Sequence, residues 1–120
     1  MIEISTEESK ILDEIEEIGK KQFVHLDGLE VTKYNKLFDR LIQLVVELKN
    51  RPGDRRVILK NHYRHPNLQV WLNAATHTLA VAPEDARAEL KAIEETNRHP
   101  QAMDAGMRLH NLETGFFKPT

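Results

Sequence analysis

His62 and His65 stand three residues apart, a spacing that places two imidazoles on one face of a helix and suits a transition-metal ion. Such a site needs a third donor. Neither an HExxH pattern nor a carboxylate at helical spacing accompanies the pair, and turn or capping roles account for both residues without a metal. The absence of cysteine excludes disulfides, thiolate catalysis and sulfur-built zinc sites, and suits a reducing compartment. Serine chemistry has little support. The only serines are Ser5, placed to cap a helix, and Ser9, on a solvated acidic turn, and there is neither a GxSxG nor a Gly-rich phosphate loop. His77 lies inside an uncharged run, where a hydrogen-bonded core histidine is the ordinary reading, and His99 only precedes Pro100. No catalytic residue, metal ligand or cofactor is assigned, and a non-enzymatic protein is expected.

Charge is more informative than nucleophiles. Arg51, Arg55, Arg56, Lys60 and Arg64 surround the single acid Asp54, a local charge of +4. Glu3, Glu7, Glu8, Asp13, Glu14, Glu16 and Glu17 surround the single base Lys10, a local charge of −6. Two such surfaces either steer a partner or are solvated helix faces. The partner-binding candidates are therefore Arg55, Arg56, Lys60 and Arg64 on one side and Glu14 and Glu17 on the other. Nucleic-acid binding through the basic patch 51–64 is the alternative to protein binding, but the patch has only Tyr63 as a neighbouring aromatic and the whole chain carries a net charge of −2.

The elements that must position these residues read as helices throughout. Ser5 and Glu8 form a capping box before Ile11, Leu12, Ile15 and Ile18, so a first helix is predicted from about Ser5 to about His25. Asp27 and Glu30 repeat the box around Gly28. Tyr34, Leu37, Leu41, Leu44 and Leu48 make the stripe of a second helix, widened by Phe38, Ile42, Val45 and Val46, and "RPGD" at 51–54 stops it. Asp54 caps a short third helix, in which Ile58 and Leu59 lie opposite Arg56, Lys60 and Arg64. The stretch "HPNLQVWLNAATHTLAVAP", residues 65–83, then runs without one Asp, Glu, Lys or Arg. Capped by Pro66 or Asn67 and running to about Val81, a helix apolar around most of its circumference must be buried on several sides, with Gln69, Asn73 and Thr76 as its only polar strip. Pro83 starts a fifth helix with Ala86, Leu90 and Ile93 inward. Pro100 starts a sixth, with Met103, Met107, Leu109 and Leu112 as its core side, Gly115 as its stop, and Phe116 and Phe117 folding back as a tail.

These readings give one all-α domain over residues 1–120, with "HP" recurring at 65 and 99 and Ala-x3-Leu at 75 and 105 as an imperfect helical-pair repeat. Residues 65–93 resemble a HEAT-like repeat: an apolar helix after a polar turn, a Val-x3-Ala-Ala-x3-Leu core, then Pro-Glu opening the next helix. With "YNKLFDRL" at 34–41, "ELKNRPGD" at 47–54 and "DAGMRLHNLETG" at 104–115, the chain resembles a family of small bacterial proteins known as domain of unknown function 2019. The resemblance implies a short HEAT or armadillo-type α-α superhelix of about six helices, with no established activity. Trp71 stands where HEAT repeats typically carry a basic residue after the position of Val70, so no repeat-lining arginine is carried over. The acidic N-terminus has no apolar core of a signal peptide and no run is long enough to span a bilayer, so a cytoplasmic protein without membrane contact is expected. The leading functional expectation is a protein-protein interaction module, in a narrower form a toxin-neutralising one.

Overall fold

Ser5 opens the first helix by donating and accepting at once. The Glu8 amide donates to Ser5 Oγ at 3.1 Å and the Ser5 amide to Glu8 Oε1 at 3.0 Å, the reciprocal pair of a capping box. The computed structural model describes residues 2–26 and 31–120, and in it α1 runs Thr6–Leu26 with Ile11, Leu12, Ile15 and Ile18 buried. The second box expected at Asp27 and Glu30 lies outside the described residues. α2 (Val31–Asn50) ends at Arg51-Pro52-Gly53-Asp54, where Gly53 (φ 83°) and Asp54 (φ 49°) both take the left-handed conformation that reverses the chain. Asp54 then accepts the Arg56 amide and caps a 3-10 helix, Arg55–His62, which buries Ile58 and Leu59.

Asn67 is the cap of α3 (Leu68–His77), accepting from the amides of Gln69 and Val70. Every residue from Leu68 to Ala75 is buried, because α1, the 3-10 helix, α4 (Pro83–Glu95) and α5 (Gln101–Glu113) all pack on it. The charge-free run is thus the inner helix that its composition required. α3 ends at His77 rather than near Val81. Thr78, the C-cap, donates its Oγ1 hydrogen back to the Ala74 carbonyl at 2.8 Å and so accepts from Tyr63 Oη at 2.6 Å. The described residues hold six helices and no strand, an all-α domain. Its radius of gyration, 13.8 Å, is that of a compact domain of this length.

Two apolar clusters share α3 as a wall. One gathers α1, α2 and the 3-10 helix around Leu44, Leu48 and Ile58 and includes Ala74; the other gathers α4 and α5 around Leu72, Leu90 and Ile93. α1 approaches α3 so closely that a Cβ on Gly19 would stand 2.7 Å from Val70 Cγ2. Of the polar strip of α3, Gln69 and Asn73 are buried and hydrogen-bonded, whereas Thr76 is partly buried and its Oγ1 has no hydrogen-bond partner among the described residues. Asn73 donates to Gln22 Oε1 at 2.8 Å, Gln69 donates to Asn73 Oδ1 at 2.9 Å, and Gln101 donates to Gln69 Oε1 at 3.2 Å, a ladder of amides running from α1 through α3 to α5.

Three expectations about burial are corrected. Met103 and Met107 do not face the core; they are 58% and 60% exposed, and α5 packs through Gln101, Ala102, Ala105 and Leu112, with Leu109 partly buried. Phe38 and Val46 do not widen the core stripe of α2, because that helix packs on α1 and the 3-10 helix from one side only and leaves these two side chains 44% and 45% exposed. The tail does return, with the Phe117 amide donating to the Asn111 carbonyl and Arg56 donating to the Thr120 carbonyl, but the ring of Phe116 stays in solvent.

Candidate functional site

The two charged stretches meet each other. Arg55 Nε donates to Glu8 Oε2 at 2.8 Å, and Arg51 Nη2 to Glu7 Oε2 at 3.2 Å, so the basic segment closes onto the acidic start of α1. Glu8 is buried, and the hydrogen bonds from Arg55 and then from the Ser5 amide outweigh its desolvation and bring its carboxyl down to about 2. Arg56 turns back on its own cap, with Nη2 2.6 Å from Asp54 Oδ2, and its guanidinium lowers the Asp54 carboxyl. Lys60 Nζ reaches Asp85 Oδ2 at 2.7 Å, which raises the ammonium, and Arg64 Nε reaches Glu89 Oε1 at 3.1 Å. Arg64 also lies over the Trp71 ring, 5.0 Å from its centroid, while Trp71 Nε1 donates to the same Glu89 oxygen at 2.9 Å.

On the acidic side, Glu14 takes a bidentate bond from Arg40 of α2, at 2.6 and 3.0 Å, and the guanidinium lowers its carboxyl. Among the described residues Glu17 pairs with Lys20 on its own helix, at 3.5 Å, and remains exposed with Asp13 one turn before it. Arg55, Lys60, Arg64 and Glu14 therefore tie α1, α2, the 3-10 segment and α4 together. Arg56, on its own cap, and Glu17, on its own helix, make no ion pair to another helix among the described residues.

His62 and His65 are neighbours, their rings edge to face with centroids 6.2 Å apart. His65 uses both nitrogens: Nδ1 accepts the Asn67 amide at 2.8 Å, and Nε2 lies 2.7 Å from Glu16 Oε2, whose carboxyl is lowered chiefly by that bond. His62 is buried, which pushes its imidazole down, and its Nδ1 has no hydrogen-bond partner among the described residues. Among the described residues no group of three or more His, Cys, Asp or Glu is arranged to hold a metal ion.

What the sequence reading missed is the apolar surface at the two edges of the stack. On α2, Val31, Phe38, Ile42 and Val46 make an exposed or half-exposed stripe. On α5, Met103 and Met107 border a groove of about 430 Å³ against α4. A signal for the second was present: Ala102, Ala105, Leu109 and Leu112 recur at spacings of three and four and leave the methionines on another face.

What these features define is a small all-α domain whose charged residues pair across helices and whose edge helices carry exposed apolar side chains. The chain belongs to the family described as Domain of unknown function (DUF2019), whose model matches residues 10–113. It is similar to the crystal structure of the protein RPA1889 from Rhodopseudomonas palustris CGA009, with 40% sequence identity, 93% of each chain covered and a TM-score of 0.91. No curated protein matches it. Among the described residues, no helix is long and apolar enough to cross a membrane.

Proposed function

We propose that this domain is a non-enzymatic protein-protein interaction module, a stack of paired helices of the HEAT type that presents an edge to a helix of another protein. The observation that carries this reading is the stripe Val31, Phe38, Ile42 and Val46 on α2, about 22 Å long at 1.5 Å per residue, of which Val31, Phe38 and Val46 are 66%, 44% and 45% exposed. Anchors at such spacing accept the apolar face of an amphipathic helix. The alternative, nucleic-acid binding through Arg55, Arg56, Lys60 and Arg64, is weakened because each cation already has a carboxylate between 2.6 and 3.1 Å away.

A photo-crosslinking residue at Phe38 or Val46 should trap one protein partner in the native cell. Replacing both with Glu should abolish the same partner's binding while leaving the thermal midpoint in place, since neither side chain supports the core. Binding that survives this double change would remove α2 as the docking edge. The narrower form, neutralising a basic toxin through α1, rests on the exposed Glu17 and Asp13. Glu14 is held by Arg40, so Glu17→Lys is the cleaner probe: it should slow association in low salt, and an unchanged rate would dispose of charge steering.

A further inference from the structure

His99, Met103, Met107 and His110 line one groove between α4 and α5, with Glu94 on its α4 wall. Within α5, residues 103, 107 and 110 stand at i, i+4 and i+7, so three donor side chains leave one face over about 10 Å of helix axis. Helical side chains lean toward the N-terminus, which tips His110 over the turn of Met107 and Met107 over that of Met103. Both methionine residues are more than half exposed and the imidazoles of His99 and His110 make no hydrogen bond or ion pair among the described residues. All four side chains are therefore available, and three flexible bonds in each methionine let the sulfurs converge.

Thioether sulfur is a soft, uncharged donor that binds Mg, Ca or Zn ions poorly and Cu(I) well, and imidazole supports the same choice. The groove also carries negative charge. Gly106 leaves room for the Glu94 carboxylate to lie across α5, where a Cβ would come within 2.5 Å of Glu94 Oε2, and Lys91 offsets that charge from 3.3 Å away. We propose that Met103, Met107 and His110 form a surface site for a soft monovalent cation, Cu(I). This site is independent of the α2 edge, and either can fail without the other.

The probe is Ag(I), a redox-inert soft cation, titrated into the full chain while the methionine methyl and histidine ring signals are followed by NMR. One ion per chain is expected, moving the Met103 and Met107 methyls and the His110 ring and leaving Met1 unmoved; Zn(II) should move none of these methyls. Met103→Leu with Met107→Leu should weaken binding by about tenfold or more. Both positions are exposed, so the thermal midpoint should hold and separate lost ligation from lost folding. Shifts confined to Met1, equal affinity in the double variant, or no saturable binding would each overturn the assignment.

Discussion

A partly buried imidazole, His77, makes stability depend on pH. Burial holds His77 at about 4, and the nearby Arg108 and Arg56 add to the shift. Because the folded value lies below the ordinary value near 6.5, the unfolded chain binds the proton first as pH falls. Stability is therefore fully present above about 6.5 and is lost as pH drops from there towards 4. His62, also lowered by burial, acts in the same direction. Chemical denaturation at pH 7.5 and 4.5 should show a loss on the order of 2 kcal/mol attributable to His77, and His77→Gln should remove that part of the slope. Glu8, held at about 2, defines a second and separate window: its contribution is lost only below its ordinary value of 4.5. The uncharged run placed His77 on the inner helix, but the hydrogen-bonded core histidine expected there is partly buried and makes no side-chain hydrogen bond among the described residues. The two arginines that add to its shift arrive from 31 residues downstream and 21 upstream in the chain.

Between elements, close approach sets the cost of adding a single methyl. Ala is normally favoured over Gly inside a helix by about 1 kcal/mol. At Gly19 the added Cβ would meet the Cγ2, Cα and N of Val70, and backbone cannot swing aside, so α1 and α3 must part. Gly19→Ala should lose about 1–3 kcal/mol in urea denaturation despite the better propensity. Gly106→Ala is the contrast, because its first neighbour is the end of the Glu94 side chain, which can rotate away; its stability should change by less than about 1 kcal/mol. The helices themselves were legible because caps and periodicity are local: Ser5 with Glu8, Asp54, Asn67 and Pro83 each mark a boundary that the structure keeps. Which face of α5 turns inward was not. Two stripes compete there, and sulfur-bearing side chains look like core until the closer packing allowed by Ala102 and Ala105 is known. Nor could a run of bases or acids announce its partner, since Glu8 and Arg55 are 47 residues apart and meet only once α1 lies beside the 3-10 helix.

At the scale of the molecule, the question is whether two clusters make one folding unit. α3 contributes Ala74 to the first and Leu68, Trp71, Leu72 and Ala75 to the second, so neither cluster is closed without it. The amide ladder from Gln22 to Gln101 crosses the same helix, and Lys60 with Asp85 bridges the halves at the surface. Opening one half would expose one wall of the other and leave buried amides unpaired, at about 1–3 kcal/mol for each. The two clusters should therefore unfold together. The chain's only tryptophan, Trp71, reports on the second cluster, whereas Leu44 lies in the first. Leu44→Ala should cost about 3 kcal/mol, and the loss should appear in Trp71 fluorescence at the same denaturant midpoint as in far-UV circular dichroism. A Trp71 transition that stayed at its original midpoint while the helical signal shifted would show two independent halves, and α3 would then be a boundary between them rather than their shared wall.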